Sequence, residues 1–503
     1  MKRKGIILSF IGIIVISIFL IIFTSKNNKK YIMQDGITLA LTLDGEKTTE
    51  FPTDKNYTVD IDCQNATGTW LVEDWKLSVN NITGNVICNI DFKTKTDDDK
   101  ITNIVENEAT EFEGGKKPNT STYTMLSQGD YSNCVHDSTE YVTFNTSTSK
   151  WQLVNTDSAE MTFYPPQDGY YQLCYEFADS NLQLQYFGIN QTGPGSIPYD
   201  YWFLDRYKVE SKCVNYGFLK TTDYIQLDLV GDSPNSTLYF KKITNISDKS
   251  SGFRYNGQTP NNYIWFNNEM WRIIGSIPTC MDSSCTSSQN LVKIIRDNPI
   301  GELEYSINDN NEWGSNSLYN LLNNYYYGAL NGTDSGYCYS YYYSGSSSNV
   351  KSNCDYTING ILPDSYYGQM VEQVFWNSGP SINKYGAVQS YSSESQLLKQ
   401  GYVGLMSASD FGYSGSSSYH NTALSSTSIS NSSWLYSEGI ERTMTPVIRE
   451  GSLHTNYYYR GGPTYALLSY YPYGLVRPVV YLDPDVYVVS GDGTEANPYQ
   501  VAM

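Results

Sequence analysis

Side-chain chemistry in this chain has few obvious carriers. Its 503 residues hold three histidines (His136, His420 and His454) beside 52 acidic residues and 47 tyrosines. Ser414, His420 and Asp410 fall within eleven residues and supply the three side-chain types of a hydrolytic triad. A triad needs those side chains oriented from rigid elements, and this stretch reads as a Ser/Gly-rich loop. Gly412-Tyr-Ser-Gly415 also lacks the glycine spacing of a nucleophile elbow, G-x-S-x-G. Carboxylate pairs for glycoside hydrolysis are defined by separation in space, so none can be singled out of 52 acids. With no catalytic motif assembled, the expectation leans away from an enzyme.

The nine cysteines lie at 63, 88, 134, 174, 213, 280, 285, 338 and 354, without a CxxC or a histidine at metal-ligand spacing. That argues against zinc and for disulfides made in an oxidising compartment. Proximity suggests Cys63–Cys88, Cys280–Cys285 and Cys338–Cys354. Cys134, Cys174 and Cys213 then remain in one module, so one of them is left over. No cofactor is expected. Calcium is the one ion with candidate turns, at Asp97-Asp98-Asp99, Asp483-Pro-Asp485 and Asp492-Gly-Thr-Glu495. None has the spacing of an EF-hand loop, and turn chemistry accounts for them without a metal.

Tyrosine offers binding rather than catalysis. Tyr343-Ser-Gly-Ser-Ser-Ser348 recurs as Tyr413-Ser-Gly-Ser-Ser-Ser418, near the runs Tyr325–Tyr327, Tyr339–Tyr343 and Tyr457–Tyr459. Aromatic faces beside small polar groups suit sugars or a protein surface. Tyr341, Tyr342, Tyr343, Tyr413, Tyr419, Tyr457 and Tyr458 are therefore the candidate ligand-binding residues. The competing reading packs these tyrosines back onto their own domain.

The elements that would position them begin with Gly5–Phe23, nineteen residues without a charge, flanked by Lys2, Arg3 and Lys4 and by Lys26, Lys29 and Lys30. As a helix it would be roughly 28 Å long, the thickness of a bilayer's hydrocarbon core. A cleaved signal peptide has a shorter apolar core and a small-x-small exit, whereas this run leaves through Ile22-Phe23-Thr24-Ser25-Lys26. An uncleaved single-pass anchor is expected, with residues 1–30 as cytoplasmic tip and anchor and an extracytoplasmic body beyond. Residues 1–30 hold six of the 33 basic residues and no acid, which leaves the body 27 basic against 52 acidic residues. Such a surface repels nucleic acid, so phosphate-backbone binding is excluded as a function.

Residues 31–95 alternate polar and apolar in short runs (ITLALTLDG, YTVDIDCQN, VICNIDFK), the pattern of a small antiparallel β-module. The charged stretch 96–118 reads as a linker. Residues 119–247 carry strand-like runs at the spacing of a β-sandwich, and Asp168–Cys174 resembles a jelly-roll strand of carbohydrate-binding or adhesive modules. From 250 to 503 helical spacing joins the strands. Leu318, Leu321, Leu322 and Tyr325 predict a helix capped by Ser315 or Ser317 and stopped at Gly328. Tyr367, Met370, Val371, Val374 and Phe375 predict a second helix, from Pro363-Asp364 to Gly379. Ser407 with Asp410 predicts a short third helix.

Five segments of this last part, spanning 250–490, carry a family resemblance. They are Trp265…Trp271-Arg-Ile-Ile274, Glu312-Trp-Gly-Ser-Asn-Ser-Leu-Tyr-Asn-Leu-Leu-Asn323, Val403-Gly-Leu-Met-Ser-Ala-Ser-Asp410, Ser433-Trp-Leu-Tyr436 and Arg477-Pro-Val-Val-Tyr-Leu482. Their order resembles that of a bacterial family of surface domains of unknown function with a C-type-lectin-like fold, shared with formylglycine-generating enzymes. The resemblance implies a mixed α/β domain with long loops gathered on one side. The oxidase branch of that fold needs late cysteines, and none follows Cys354, so its chemistry is not carried over. The expected protein is a membrane-anchored extracytoplasmic surface protein: anchor, two all-β modules, and a lectin-like domain that binds glycan or protein. The alternatives are an envelope glycan-processing enzyme and a structural spacer.

Overall fold

The structure, a computed structural model, describes residues 36–114 and most of 250–503 in full, with the backbone of strands at 32–34 and between 115 and 249. In the C-terminal half, 307–312, 342–348, 380–385, 395–397, 423, 425–426, 437–440, 450–451 and 459–473 fall outside the description. The described residues are mostly β-sheet with few helices. Among them no helix is long and apolar enough to cross a membrane; the predicted anchor Gly5–Phe23 lies outside them. The chain divides into two compact units, one formed by 1–70 and 77–94, the other by 71–76 and 95–503.

In the first unit, β1 (Ile32–Gln34), β2 (Ile37–Leu43), β3 (Glu46–Thr48), β4 (Tyr57–Gln64) and β7 (Val86–Thr94) make one sheet. A hairpin of β5 (Thr67–Leu71) and β6 (Lys76–Asn80) forms a second, two-stranded sheet. The alternation in β7 buries Val86, Cys88, Ile90 and Phe92, and Trp70 closes edge-on over Phe92. Asp44 and Gly45 both take positive φ, the two-residue turn that suits a β2–β3 hairpin. The sheet is mixed rather than antiparallel: β4 runs antiparallel to β7, but β2 runs parallel to it. Periodicity reports which face is buried, not strand direction, and here the β3–β6 segment supplies the crossover a parallel pair needs. Cys63 and Cys88 stand opposite each other on β4 and β7 and are joined, with Cα atoms 4.1 Å apart.

The second unit revises the predicted linker. Residues 97–99 form a 3-10 turn with a Thr96–Asp99 capping box, so the three aspartates start a helix. Helix α1 (Ile101–Glu108) follows, with Ile101 and Val105 wholly buried in the unit's core. β8 (Thr110–Pro118) then pairs antiparallel with the strand Ile246–Arg254. Two of its charges are built into the unit: Glu106 accepts from Ser276 and Asn290, and Glu108 from Tyr255 and Tyr499.

Everything between β8 and Ile246–Arg254 is therefore an insertion between two paired strands. Its backbone forms two antiparallel sheets, of five and four strands, the composition of a β-sandwich. Beyond it, the long strand Glu269–Cys280 lies between Tyr263–Phe266 and Ser288–Arg296. The last strand, Tyr499–Ala502, runs parallel beside Tyr263–Phe266. Gly252 and Gly275 meet where Ile246–Arg254 crosses Glu269–Cys280. A Cβ on Gly252 would come within 2.2 Å of the Ser276 carbonyl, and one on Gly275 within 2.0 Å of the Phe253 carbonyl. Two glycines let those backbones touch.

Of the predicted helices, two form. α2 (Ser317–Leu321) continues as a π-turn to Tyr326, and its cap is Asn316, whose side chain accepts from Tyr319 N–H. The third predicted helix, from Ser407, is present with its capping box at Ala408–Ser414. The stripe from Tyr367 instead makes a 3-10 turn and two strands, Val371–Glu372 and Val374–Asn377. Val374 and Trp376 are buried while Phe375 is partly buried. Over so short a run, valine-rich alternation imitates helical spacing.

Candidate functional site

Ser414, His420 and Asp410 do not assemble as a triad. Asp410, at the third position of Ala408–Ser414, lies 2.6 Å from Arg254 Nη1 and 2.5 Å from Lys293 Nζ. The Ser414 hydroxyl donates to the Phe411 carbonyl and pairs with Ser433. His420 Nε2 contacts the Gly415 carbonyl, and burial lowers the ring's pKa. Neither Ser414 nor Asp410 hydrogen-bonds His420; a Ser–His–Asp relay has no path here.

What forms instead is a buried ion triad. Arg254 comes from the strand beside β8, Lys293 from Ser288–Arg296 and Asp410 from the Ser407-capped helix; all three side chains are at most 4 % exposed. The Arg254 guanidinium stacks over Tyr413 and Tyr391, and Lys293 sits over Trp376 and Tyr481. Burial alone would raise the carboxyl of Asp410, but the two cations override it and hold it far below its ordinary range. A carboxylate so held has no proton to give and no path to a substrate. The triad's chemistry is structural: it ties two strands and a helix together.

Beside it, Glu394 accepts from Ser409 N–H, from the Ser409 hydroxyl and from the Thr445 hydroxyl. Burial, with the negative charge of Asp410 behind it, pushes its carboxyl up to about 7 against those hydrogen bonds. Glu394 sits in a helix, Ala387–Glu394, that the sequence reading did not anticipate. The missed residues did leave a signal. Lys293 is one charge in the run Leu291-Val-Lys-Ile-Ile295, and a charge in a strand buried on both faces must have a partner.

The predicted tyrosines divide. Tyr413 is 1 % exposed, its hydroxyl donating to the Glu113 carbonyl and its ring stacked on Phe112. It is a core residue, because its repeat begins inside a helix rather than in a loop. Tyr419 ends a 3-10 turn and packs half-buried against the core. Tyr341 lies in a two-residue strand and Tyr457 and Tyr458 in the strand Ser452–Tyr458, described by backbone only. Tyr342 and Tyr343 lie outside the described residues.

A different surface emerges from the run Tyr325–Tyr327. Tyr326 is buried, and Tyr327 stacks on Tyr402 with ring centroids 4.1 Å apart. The segment after it lies against residues 354–361. Tyr356 N–H donates to the Leu330 carbonyl, Gly328 N–H to the Ile361 carbonyl, and Ile361 N–H to the Tyr326 carbonyl. The Cys338–Cys354 disulfide closes this loop pair from below. At its tip the turn Tyr356–Gly360 carries Ile358, which is 96 % exposed, and Leu330 and Leu362 are each about half exposed. Among the described residues of this unit, these three and Met503 are the exposed large apolar side chains.

The oxygen-rich turns are occupied by their own backbone. Asp492 accepts from Thr494 N–H and its hydroxyl, and Asp483 from Asp485 N–H. Asp485 is paired with Lys100. Among the described residues no group of three or more His, Cys, Asp or Glu side chains is arranged to hold a metal. The third disulfide, Cys280–Cys285, spans a loop in which Asp282 accepts from Ser287 N–H, Thr286 and Ser284 N–H. Those bonds lower its carboxyl to about 2. No protein-family model, no curated protein and no solved structure matches the chain.

Proposed function

We propose that this chain is a surface protein, anchored through Gly5–Phe23 with its body outside the cytoplasm, that binds a protein partner through the loop pair 327–332 and 354–362. The carrying observation is Ile358, held 96 % exposed at the tip of a disulfide-braced turn, with Leu330 and Leu362 also exposed on the same hydrogen-bonded loop pair. A turn tip gains nothing for its own fold from an exposed isoleucine, and clustered exposed apolar residues are a mark of association sites. The nearby tyrosine faces are turned to each other, as in Tyr327 on Tyr402. That favours a protein partner over a stacked sugar. A mixed sheet with short helices and long connections supports the C-type-lectin-like reading of 250–503.

The test is binding of purified 31–503 to intact bacterial and host cells and to a glycan array, beside the double variant Leu330→Asp, Ile358→Asp. The exposed positions tolerate charge, so the variant keeps its melting temperature. Cell binding lost in the variant supports the proposal. Binding equal in both proteins refutes it, and an array signal untouched by the variant moves recognition elsewhere. Release of the body by protease from intact cells tests the orientation; survival until lysis would reverse it.

A further inference from the structure

Six of the nine cysteines are joined as Cys63–Cys88, Cys280–Cys285 and Cys338–Cys354. The other three, Cys134, Cys174 and Cys213, all belong to the insertion. Cys174 lies in the strand Gly169–Glu176 and Cys213 in the strand Lys212–Leu219. These strands are antiparallel neighbours, and their register sets Cys174 directly opposite Cys213. The register is unbroken around them, from Gln172 opposite Asn215 to Tyr175 opposite Lys212. Cys63 and Cys88 stand in the same relationship on β4 and β7 and are bonded. Directly opposed residues in an antiparallel pair have Cα atoms about 4.5 or 5.5 Å apart, within the span of roughly 4.4–6.8 Å that a disulfide bridges.

We infer that Cys174 and Cys213 form a fourth disulfide, and that Cys134 is the odd thiol of the chain. The two thiols give up two protons and two electrons to a disulfide oxidant such as glutathione disulfide, whose S–S bond breaks to give two thiols. Lys212–Leu219 is the edge strand of the five-stranded sheet, paired on one side with Gly169–Glu176. An edge strand is the part of a sheet that frays and pairs with foreign strands most readily. A covalent tie to its inner neighbour holds the strand in the sheet against fraying. Oxidation in the cell rests on the proposed extracytoplasmic placement, whereas the choice of partners rests on register alone.

Trypsin separates the three cysteines, since Lys150 falls between Cys134 and Cys174, and Arg206, Lys208 and Lys212 between Cys174 and Cys213. The full chain is purified, oxidised with glutathione disulfide, blocked with N-ethylmaleimide and digested without reduction. The expected result is peptide 151–206 linked to peptide 213–220, lost on reduction, with the label on the Cys134 peptide alone. Cys134→Ser keeps the linked pair, and Cys213→Ser adds a label at Cys174. A link from Cys134 to either cysteine, or label on all three, overturns the inference. Chain taken directly from cells separates the two ideas. If its three thiols are reduced while glutathione disulfide still gives the 174–213 pair, the pairing stands and the extracytoplasmic placement falls.

Discussion

Lys293 Nζ lies 2.5 Å from Asp410 Oδ2 across 117 residues of chain, with both side chains buried, and Arg254 holds the second carboxylate oxygen. Such a triad contributes little net stability while intact, because its desolvation offsets its attraction. Broken on one side, it is costly. Asp410→Asn leaves two buried cations facing an amide and is expected to destabilise the unit by about 3–5 kcal/mol. Urea unfolding monitored by tryptophan fluorescence reads this directly. A loss under about 1 kcal/mol would mean that the site is wet and the triad is not what joins these elements.

Glu394 gives a pH dependence of fixed sign. Its carboxyl titrates near 4.5 in the unfolded chain and is raised to about 7 in the folded one. The folded state therefore holds a proton the unfolded state has lost between those values, and stability falls as pH rises through that window. The contribution is full below about pH 4.5 and levels off above about 7, a difference on the order of 3 kcal/mol at about 1.4 kcal/mol per pKa unit. Glu304, also raised to about 7 by burial, acts in the same direction. Glu394→Gln keeps an oxygen for Ser409 N–H and Thr445 and can donate to the Ser409 hydroxyl. Its melting temperature at pH 8 is expected to exceed that of the unchanged chain, with the two converging at pH 4.5. Parallel melting curves across that range would contradict this assignment.

How far the sequence carries the fold depends on the range of the interaction. The Ser407–Asp410 capping box and the period-two burial of β7 are local, and both were readable from spacing. The disulfides followed from proximity along the chain. The role of α1 was hidden because its small buried face, Ile101 and Val105, sits among charges whose partners are up to 391 residues away. Tyr413 was misread for a related reason. Its loop-like neighbours Ser414 and Gly415 end a helix whose side chains are all buried. The exposed turn at Ile358 has no sequence signal, because tyrosine, not isoleucine, is the residue out of proportion in this chain.

The boundary at residue 250 can be tested with two fragments. A chain starting at 250 lacks Ile101 and Val105 from its core, Glu106 from Ser276 and Asn290, and β8 from the edge of Ile246–Arg254. Losing two buried aliphatic side chains costs about 2–5 kcal/mol each, against a total stability of about 5–15 kcal/mol. The 95–503 fragment is expected to be soluble and to melt cooperatively, whereas 250–503 should aggregate or melt without a transition. Equal melting of the two would show that α1 and β8 are dispensable.

The insertion should be removable without loss of the unit that carries it. Pro118 on β8 stands opposite Ile246, so the two strands already sit as the arms of a hairpin. Replacing 119–245 by Asn-Gly gives those arms the two-residue turn that antiparallel strands favour. The shortened chain keeps α1, the ion triad and the Cys280–Cys285 and Cys338–Cys354 bridges, and it loses Cys134, Cys174 and Cys213 together. Its C-terminal transition should stay within about 3 °C of the full-length value, the shift that about 1 kcal/mol produces in a domain of roughly 150–250 residues. It should take up no N-ethylmaleimide without reduction. Collapse of that transition would mean that the inserted sheets are part of the same cooperative unit rather than a module carried between two paired strands.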